Sequence, residues 1–210
     1  LLQLAAQNGV QRFINTSSGG CVYGEPDSLP VPEDAPRRPD SPYGVSKLVA
    51  EEYIRYYERV HGISCCTLAL ANVYGPRQNP FGEAGVVAIF IGKMLDGEEP
   101  VIFGTGEQTR DFVYVDDVVD AYRAALSQGE GEFINIGTGV ETSVNQLYDL
   151  LAEMLDFEGR PQYEPPRAGE LDHISLQADK AHKVLGWKPR TSISEGLART
   201  VDWYKQNLRR

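Results

Sequence analysis

The sequence predicts an α/β protein in which helices flank a doubly wound, mostly parallel sheet, with a smaller α/β lobe toward the carboxyl terminus. Three observations carry that expectation. Helical and strand-like segments alternate through the first 75 residues. Residues 63–71 (ISCCTLALA) form an apolar run with little alternation, as in a strand buried on both faces of a parallel sheet. Beyond Gly75 the segments become shorter and alternate less regularly. The 210 residues suffice for one large domain or one and a half small ones, at roughly 100 to 200 residues per domain.

The elements follow in order. The first eight residues read as a helix tail ended by Asn8-Gly9, and residues 10–16 alternate as a short strand feeding a Ser-Ser-Gly-Gly loop, so the chain is expected to begin mid-fold. Six of the 13 prolines lie between Pro26 and Pro42, a density that excludes helix and central strand and predicts an exposed loop. Ser41 suits an N-cap and Pro42 the first helical position, after which Leu48, Val49, Tyr53, Ile54, Tyr56 and Tyr57 recur at helical spacing up to His61-Gly62. The strand at 63–71 comes next. A helix is expected over 86–95, short strands over 101–103 and 112–115, and a helix over 116–127 whose Asp116 and Asp117 suit its positive end better than they suit catalysis. A strand at 133–136, a helix over 143–155 and helices near 179–185 and 194–208 complete the reading.

Composition removes several function classes. Thirty acidic residues against 20 Lys and Arg leave a net charge of −10, which repels a phosphate backbone and argues against nucleic-acid binding. No uncharged apolar run approaches the roughly 18 to 20 residues of a spanning helix, and the first residues show neither a basic region nor a cleavage site, so a soluble, cytoplasmic protein is expected, without a membrane partner. Cys21, Cys65 and Cys66 make an odd count and read as reduced packing residues. No metal site is expected.

Tyr43 and Lys47 stand four apart in the first turns of the best-defined helix, on one face and about 6 Å apart at their Cβ atoms. A phenol is a poor base at neutral pH unless an ammonium and a positive helix end stabilise its phenolate, and this spacing supplies both. Upstream, Ser17 and Ser18 close a strand that would lie beside 63–71, placing hydroxyls at the carboxyl edge of a parallel sheet, where ligands bind. Chance produces i,i+4 pairs readily and turns use Ser and Gly for backbone reasons, so the combination rather than either motif carries the reading.

The resemblance is wider than these two motifs. FINTSSGGCVYGE, SPYGVSK, ANVYGPRQ, VIFGTGEQTRDFVYVDDVVDA, INIGTG, PPRAGE and LGWKP follow one another along the chain. In that order they resemble the extended short-chain dehydrogenase/reductase family, in particular its NAD-dependent nucleotide-sugar epimerases and dehydratases and most closely the UDP-glucose 4-epimerases. The resemblance implies a Rossmann-type sheet and assigns the following roles. Tyr43 is the base; Lys47 holds the nicotinamide ribose and tunes Tyr43; Ser18 binds the reacting hydroxyl, with Ser17 as the alternative because an extra glycine shifts the register by one. Leu70 and Ala71 lie near the nicotinamide, Asn72 contacts the substrate diphosphate region, and Val101 and Phe103 pack on the nucleobase. Arg110 and Arg167 take the diphosphate, a role that suits a planar, permanently charged fork. Glu170 binds the nucleotide ribose. The residue four beyond it, Ile174, is expected to leave room beside C2 and so to tolerate N-acetylated sugars.

The implied activity is 4-epimerisation of a nucleotide sugar, UDP-glucose and UDP-galactose first, through transient oxidation at C4 with bound NAD, in a homodimer formed through the Tyr43 helix. Residues 1–75 would be the carboxyl-terminal part of the NAD-binding domain, with the 110–140 segment returning to it, and 76–210 mainly the substrate lobe. The sequence departs from the pattern in three places. No G-x-x-G-x-x-G or G-x-G-x-x-G turn is present to hold a dinucleotide pyrophosphate, so the expectation is a piece of a longer enzyme that lacks its first strands. Ala69 stands where relatives place an arginine. Gly19-Gly20 follows Ser18 where the dehydratases carry an Asp-Glu pair, leaving elimination of water without an acid and base. The alternatives are a decarboxylase, dehydratase or reductase of the same superfamily or, if the chain is complete, a non-catalytic UDP-binding remnant.

Overall fold

The computed structural model describes residues 1–81, 85–167 and 169–207. Its first sheet contains β1 (Arg12–Ser18), β2 (Ser64–Leu70) and β6 (Glu132–Ile136), all parallel, in the order β1-β2-β6. Successive β2 side chains point to opposite faces. Cys66 and Leu68 pack with Val118, Ala121 and Ala125 of α5 (Val115–Ala125) and with Ala181 and Leu185 of α7 (Asp179–Leu185). Cys65 packs on the other face with Ile54 of α3 (Pro42–His61) and with Ala5 of α1 (Leu2–Gln7). Both faces are therefore covered, which is why residues 63–71 show so little alternation. Burial pushes the Cys65 and Cys66 thiols up to about 11, and both are free, as packing residues are.

A second core is closed by α4 (Val86–Leu95), α6 (Val144–Leu155) and α8 (Ile193–Asn207) around Tyr74, Phe90, Ile91, Leu147, Leu151, Leu197 and Tyr204. The remaining strands are β3 (Asn72–Tyr74), parallel to β5 (Thr109–Tyr114), which pairs antiparallel with β7 (Glu141–Ser143), and a separate parallel pair of β4 (Val101–Phe103) and β8 (Gln162–Glu164). The helix α6 opens on a capping box between Ser143 and Gln146, two reciprocal hydrogen bonds that satisfy its first amides.

Several boundaries differ from the sequence reading. The first strand runs to Ser18 instead of ending at 16, because Ser17 and Ser18 pair with Ala69 and Leu70, and ladder hydrogen bonds outweigh the turn preference of serine. A short helix, α2 (Gly19–Val22), replaces the expected glycine loop. The strand expected at 112–115 begins at Thr109, since the polar residues Thr109 to Asp111 are held by pairing with β7. Strands β3, β7 and β8 had no hydrophobic signature of their own. The last helix is described from Ile193 to Asn207, and its expected end at 208 lies outside the described residues.

Candidate active site

The parallel register sets Ser18, Leu70 and Ile136 side by side at the carboxyl ends of β1, β2 and β6. The first turn of α3 is brought to this edge by local chemistry. Ser41 caps it by accepting the Gly44 amide at 3.1 Å, and Pro42 occupies the first turn. Gly44 permits contact with α2, since a Cβ there would lie 2.5 Å from the Cys21 carbonyl oxygen. Tyr43 lies in this first turn, 53% exposed, and Ser41, two residues before it, lines the same cavity as Ser18. Lys47 donates from Nζ to the Thr16 carbonyl at 3.0 Å, and that nitrogen lies 5.5 Å from the centre of the Tyr43 ring.

The two candidate serines have different surroundings. Ser17 is buried, and its hydroxyl donates to Glu51 Oε1 at 2.6 Å. Ser18 lines a cavity of about 230 Å³ together with Leu70, Ala71, Asn72, Arg110 and Glu170. A second cavity of about 420 Å³ also includes Asn72, Arg110 and Glu170 in its lining, and extends to Val101, Phe103 and Arg167. Nine of the twelve candidates from the sequence therefore line two cavities that share Asn72, Arg110 and Glu170, and the others are Ser17, which is buried, and Tyr43 and Lys47 on α3.

Arg110 is aimed by two contacts, Nη1 donating to the Thr109 carbonyl at 2.7 Å and Nη2 meeting Glu170 Oε1 at 3.1 Å. Burial pulls its guanidinium below the usual arginine range, and the Glu170 carboxylate opposes that. Arg167 sits over Phe103, its guanidinium carbon 3.8 Å from the ring centre, a cation–π contact between two residues that line the second cavity.

The sequence did not single out the groups that brace these residues. Asp111 is buried behind Arg110 and accepts hydrogen bonds from the Thr138 amide and hydroxyl and from the amides of Gly139 and Leu176. Burial raises its carboxyl above the usual range, and those donors pull the other way. Glu51 stands eight residues beyond Tyr43 and four beyond Lys47, a helical spacing that was visible, but its burial was not. Asp117 lies in the first turn of α5, where the sequence reading put it, and its Oδ2 accepts the amides of Arg190 and Thr191. Ile174 requires a correction: it is 2% exposed in a stretch where Ser175 and Leu176 are buried as well, it packs in the cluster of Val22, Tyr23, Val31 and Leu176, and it lines neither cavity. Among the described residues no group of three or more His, Cys, Asp or Glu is placed to hold a metal ion, and no helix is long and apolar enough to cross a membrane.

A parallel sheet with a serine at its carboxyl edge, facing a helix that opens with tyrosine and lysine one turn apart, defines the short-chain dehydrogenase/reductase class. The sequence pattern of the NAD-dependent epimerase/dehydratase family matches residues 1–137. The UDP-glucose 4-epimerase of Mycolicibacterium smegmatis is 46% identical over 206 residues, which make up 98% of this chain and 66% of that protein. The crystal structure of UDP-glucose 4-epimerase from Thermotoga maritima with UDP-glucose superposes with a TM-score of 0.98 at 48% identity, covering all of this chain and 68% of that one. The UDP-glucose 4-epimerase of Thermus thermophilus in complex with NAD has a TM-score of 0.92 at 38% identity, covering 99% and 68%. The chain belongs to the NAD-dependent epimerase/dehydratase family, and it spans about two thirds of the length of these relatives.

Proposed function

We propose that the protein interconverts the C4 epimers of a nucleoside-diphosphate sugar, with UDP-glucose and UDP-galactose as the pair. The observation that carries this reading is the joined pair of cavities, which runs from Ser18 past Asn72, Arg110 and Glu170 to Phe103 and Arg167. One end offers hydroxyl chemistry, the middle offers a fixed cation, and the far end offers an aromatic face. That sequence of groups matches sugar, diphosphate and nucleobase in turn. In an acidic protein, local arginines are what make an anionic ligand acceptable.

In this mechanism Tyr43 accepts the proton of the sugar 4-hydroxyl and later returns it to the same oxygen, with Lys47 keeping a positive charge beside the ring. Ser18 hydrogen-bonds that oxygen and holds it in line with Tyr43. Arg110 and Arg167 grip the diphosphate, which leaves the sugar tethered at one end and free to present either face. Glu170 serves the nucleotide ribose while also aiming Arg110. NAD, when bound, supplies reversible hydride acceptance at C4, so the cycle has no net redox change. The residues present fit its nicotinamide end: Leu70 and Ala71 form an open apolar lining beside Ser18, and the Lys47 ammonium uses one of its three donors on Thr16.

Gly19-Gly20 after Ser18 favours epimerisation over dehydration, since no carboxyl stands there to remove water. The domain division is 1–75 with a returning 110–140 segment against 76–210. The assembly is a homodimer through α3, supported by the exposed apolar stripe Val45, Val49, Tyr53, Tyr56 and Val60 along that helix. The test is to incubate the NAD-loaded protein with UDP-galactose and follow UDP-glucose by NMR. Tyr43→Phe should abolish turnover while UDP binding survives. Full activity of that variant overturns the mechanism, and no interconversion by the unaltered protein overturns the reading.

A further inference from the structure

Two adjacent serines followed by two glycines close β1, and nothing local decides which hydroxyl faces the cavity. Side chains alternate across a strand, so a slip of one residue would exchange Ser17 and Ser18. Gly19 and Gly20 lower the cost of such a slip, because glycine accepts backbone conformations closed to other residues. The tertiary structure breaks the degeneracy from α3. Glu51 is 2% exposed, and its two oxygens have separate partners: Oε1 accepts the Ser17 hydroxyl at 2.6 Å and Oε2 pairs with Arg37. Arg37 comes from the proline-rich segment that leads into α3, and its guanidinium carbon sits 3.7 Å from the centre of the Phe133 ring on β6. With Oε2 taken by Arg37, the buried Oε1 is satisfied by an inward-turned hydroxyl, and that requirement turns the next residue outward.

A buried ion pair contributes little net stability, because desolvation offsets the attraction. What this one supplies is direction. Tyr43, Lys47 and Glu51 stand at i, i+4 and i+8 and share one helix face. Lys47 grips the Thr16 carbonyl and Glu51 grips the Ser17 side chain, so one face of α3 holds two successive residues of β1 immediately before Ser18.

We propose that Glu51, held by Arg37, is a positioning residue that turns Ser17 inward and thereby presents the Ser18 hydroxyl to the cavity opposite Tyr43; this rests on the function proposed above. The experiment uses the NAD-loaded protein and compares Ser17→Ala, Ser17→Thr, Glu51→Gln and the double variant Ser17→Ala/Glu51→Gln. Turnover of UDP-galactose, its KM, the affinity for UDP and the melting temperature are measured for each. Misplacing a reacting group by about 1 Å costs on the order of 100-fold, so kcat should fall by about 10- to 100-fold in Ser17→Ala and in Glu51→Gln, with KM and UDP affinity within about twofold of the unaltered protein. The double variant should be no worse than the poorer single one, since both remove the same interaction. Ser17→Thr keeps the hydroxyl and should recover most of the rate. Unchanged kcat with a lower melting temperature would make Glu51 a purely structural tether and overturn the proposal. Additive losses in the double variant would also overturn it. Should Glu51→Gln fail to fold, Ser17→Ala, which removes a single oxygen, decides alone. Loss of kcat without rescue by Ser17→Thr counts against the proposal, and absence of turnover in the unaltered protein overturns the functional reading and this proposal together.

Discussion

At the scale of single residues the proposed site depends on how a few charged groups are aimed. Arg110 is held by a neighbouring carbonyl and by Glu170, and Asp111 next to it accepts hydrogen bonds from four donor groups. A planar guanidinium so fixed can give two parallel hydrogen bonds to a diphosphate, whereas an ammonium cannot. Arg110→Lys is therefore expected to weaken UDP binding by about 10- to 100-fold, the equivalent of a charged hydrogen bond worth about 1.5 to 3 kcal/mol. Calorimetric titration with UDP measures this directly. An unchanged affinity would remove Arg110 from the diphosphate site. The candidates Ser18, Asn72, Arg110, Arg167 and Glu170 were legible because each sits in a motif with a distinctive residue type. Asp111 and Glu51 were not, because an acid in a sequence looks the same whether it is solvated or buried.

At the scale of elements the decisive contact is between α2 and the first turn of α3. Alanine is the better helix former by about 1 kcal/mol, so Gly44→Ala would stabilise an isolated helix. Here the added Cβ would meet the Cys21 carbonyl oxygen at 2.5 Å, and the helix must move away from the Ser18 turn. The expected outcome is a lower melting temperature together with a fall in turnover. A rise in melting temperature would show that the two elements do not meet as described. The helix α3 itself was readable from end to end, because its cap, its proline and the left-handed Gly62 at φ 67° are written in local chemistry. The strands β3, β7 and β8 span three residues each and exist through pairing, so no window of sequence announces them.

At the scale of the whole molecule the proposed dimer rests on one helix face. Val45, Val49, Tyr53, Tyr56 and Val60 repeat every three or four residues on the outer face of α3, and each is at least 44% exposed. A continuous apolar stripe of this kind on a protein surface marks a contact with another chain. A charge at its centre should separate the copies, so Val49→Glu is expected to halve the apparent mass in sedimentation velocity. A dimer that persists unchanged would place the interface elsewhere.

Sequence alone determined the main helices and buried strands along the chain, the Tyr43–Lys47 spacing and the family, because each rests on short-range periodicity, capping or a motif of fixed residue types. Tertiary structure decided which serine faces the cavity, that Ile174 belongs to the core, and that Glu51 and Asp111 brace the site. The reason is physical: burial and hydrogen-bond partners arise between residues that are distant along the chain. The 34 positions from Ser17 to Glu51 separate a donor and acceptor that only the packing of α3 on β1 brings to 2.6 Å.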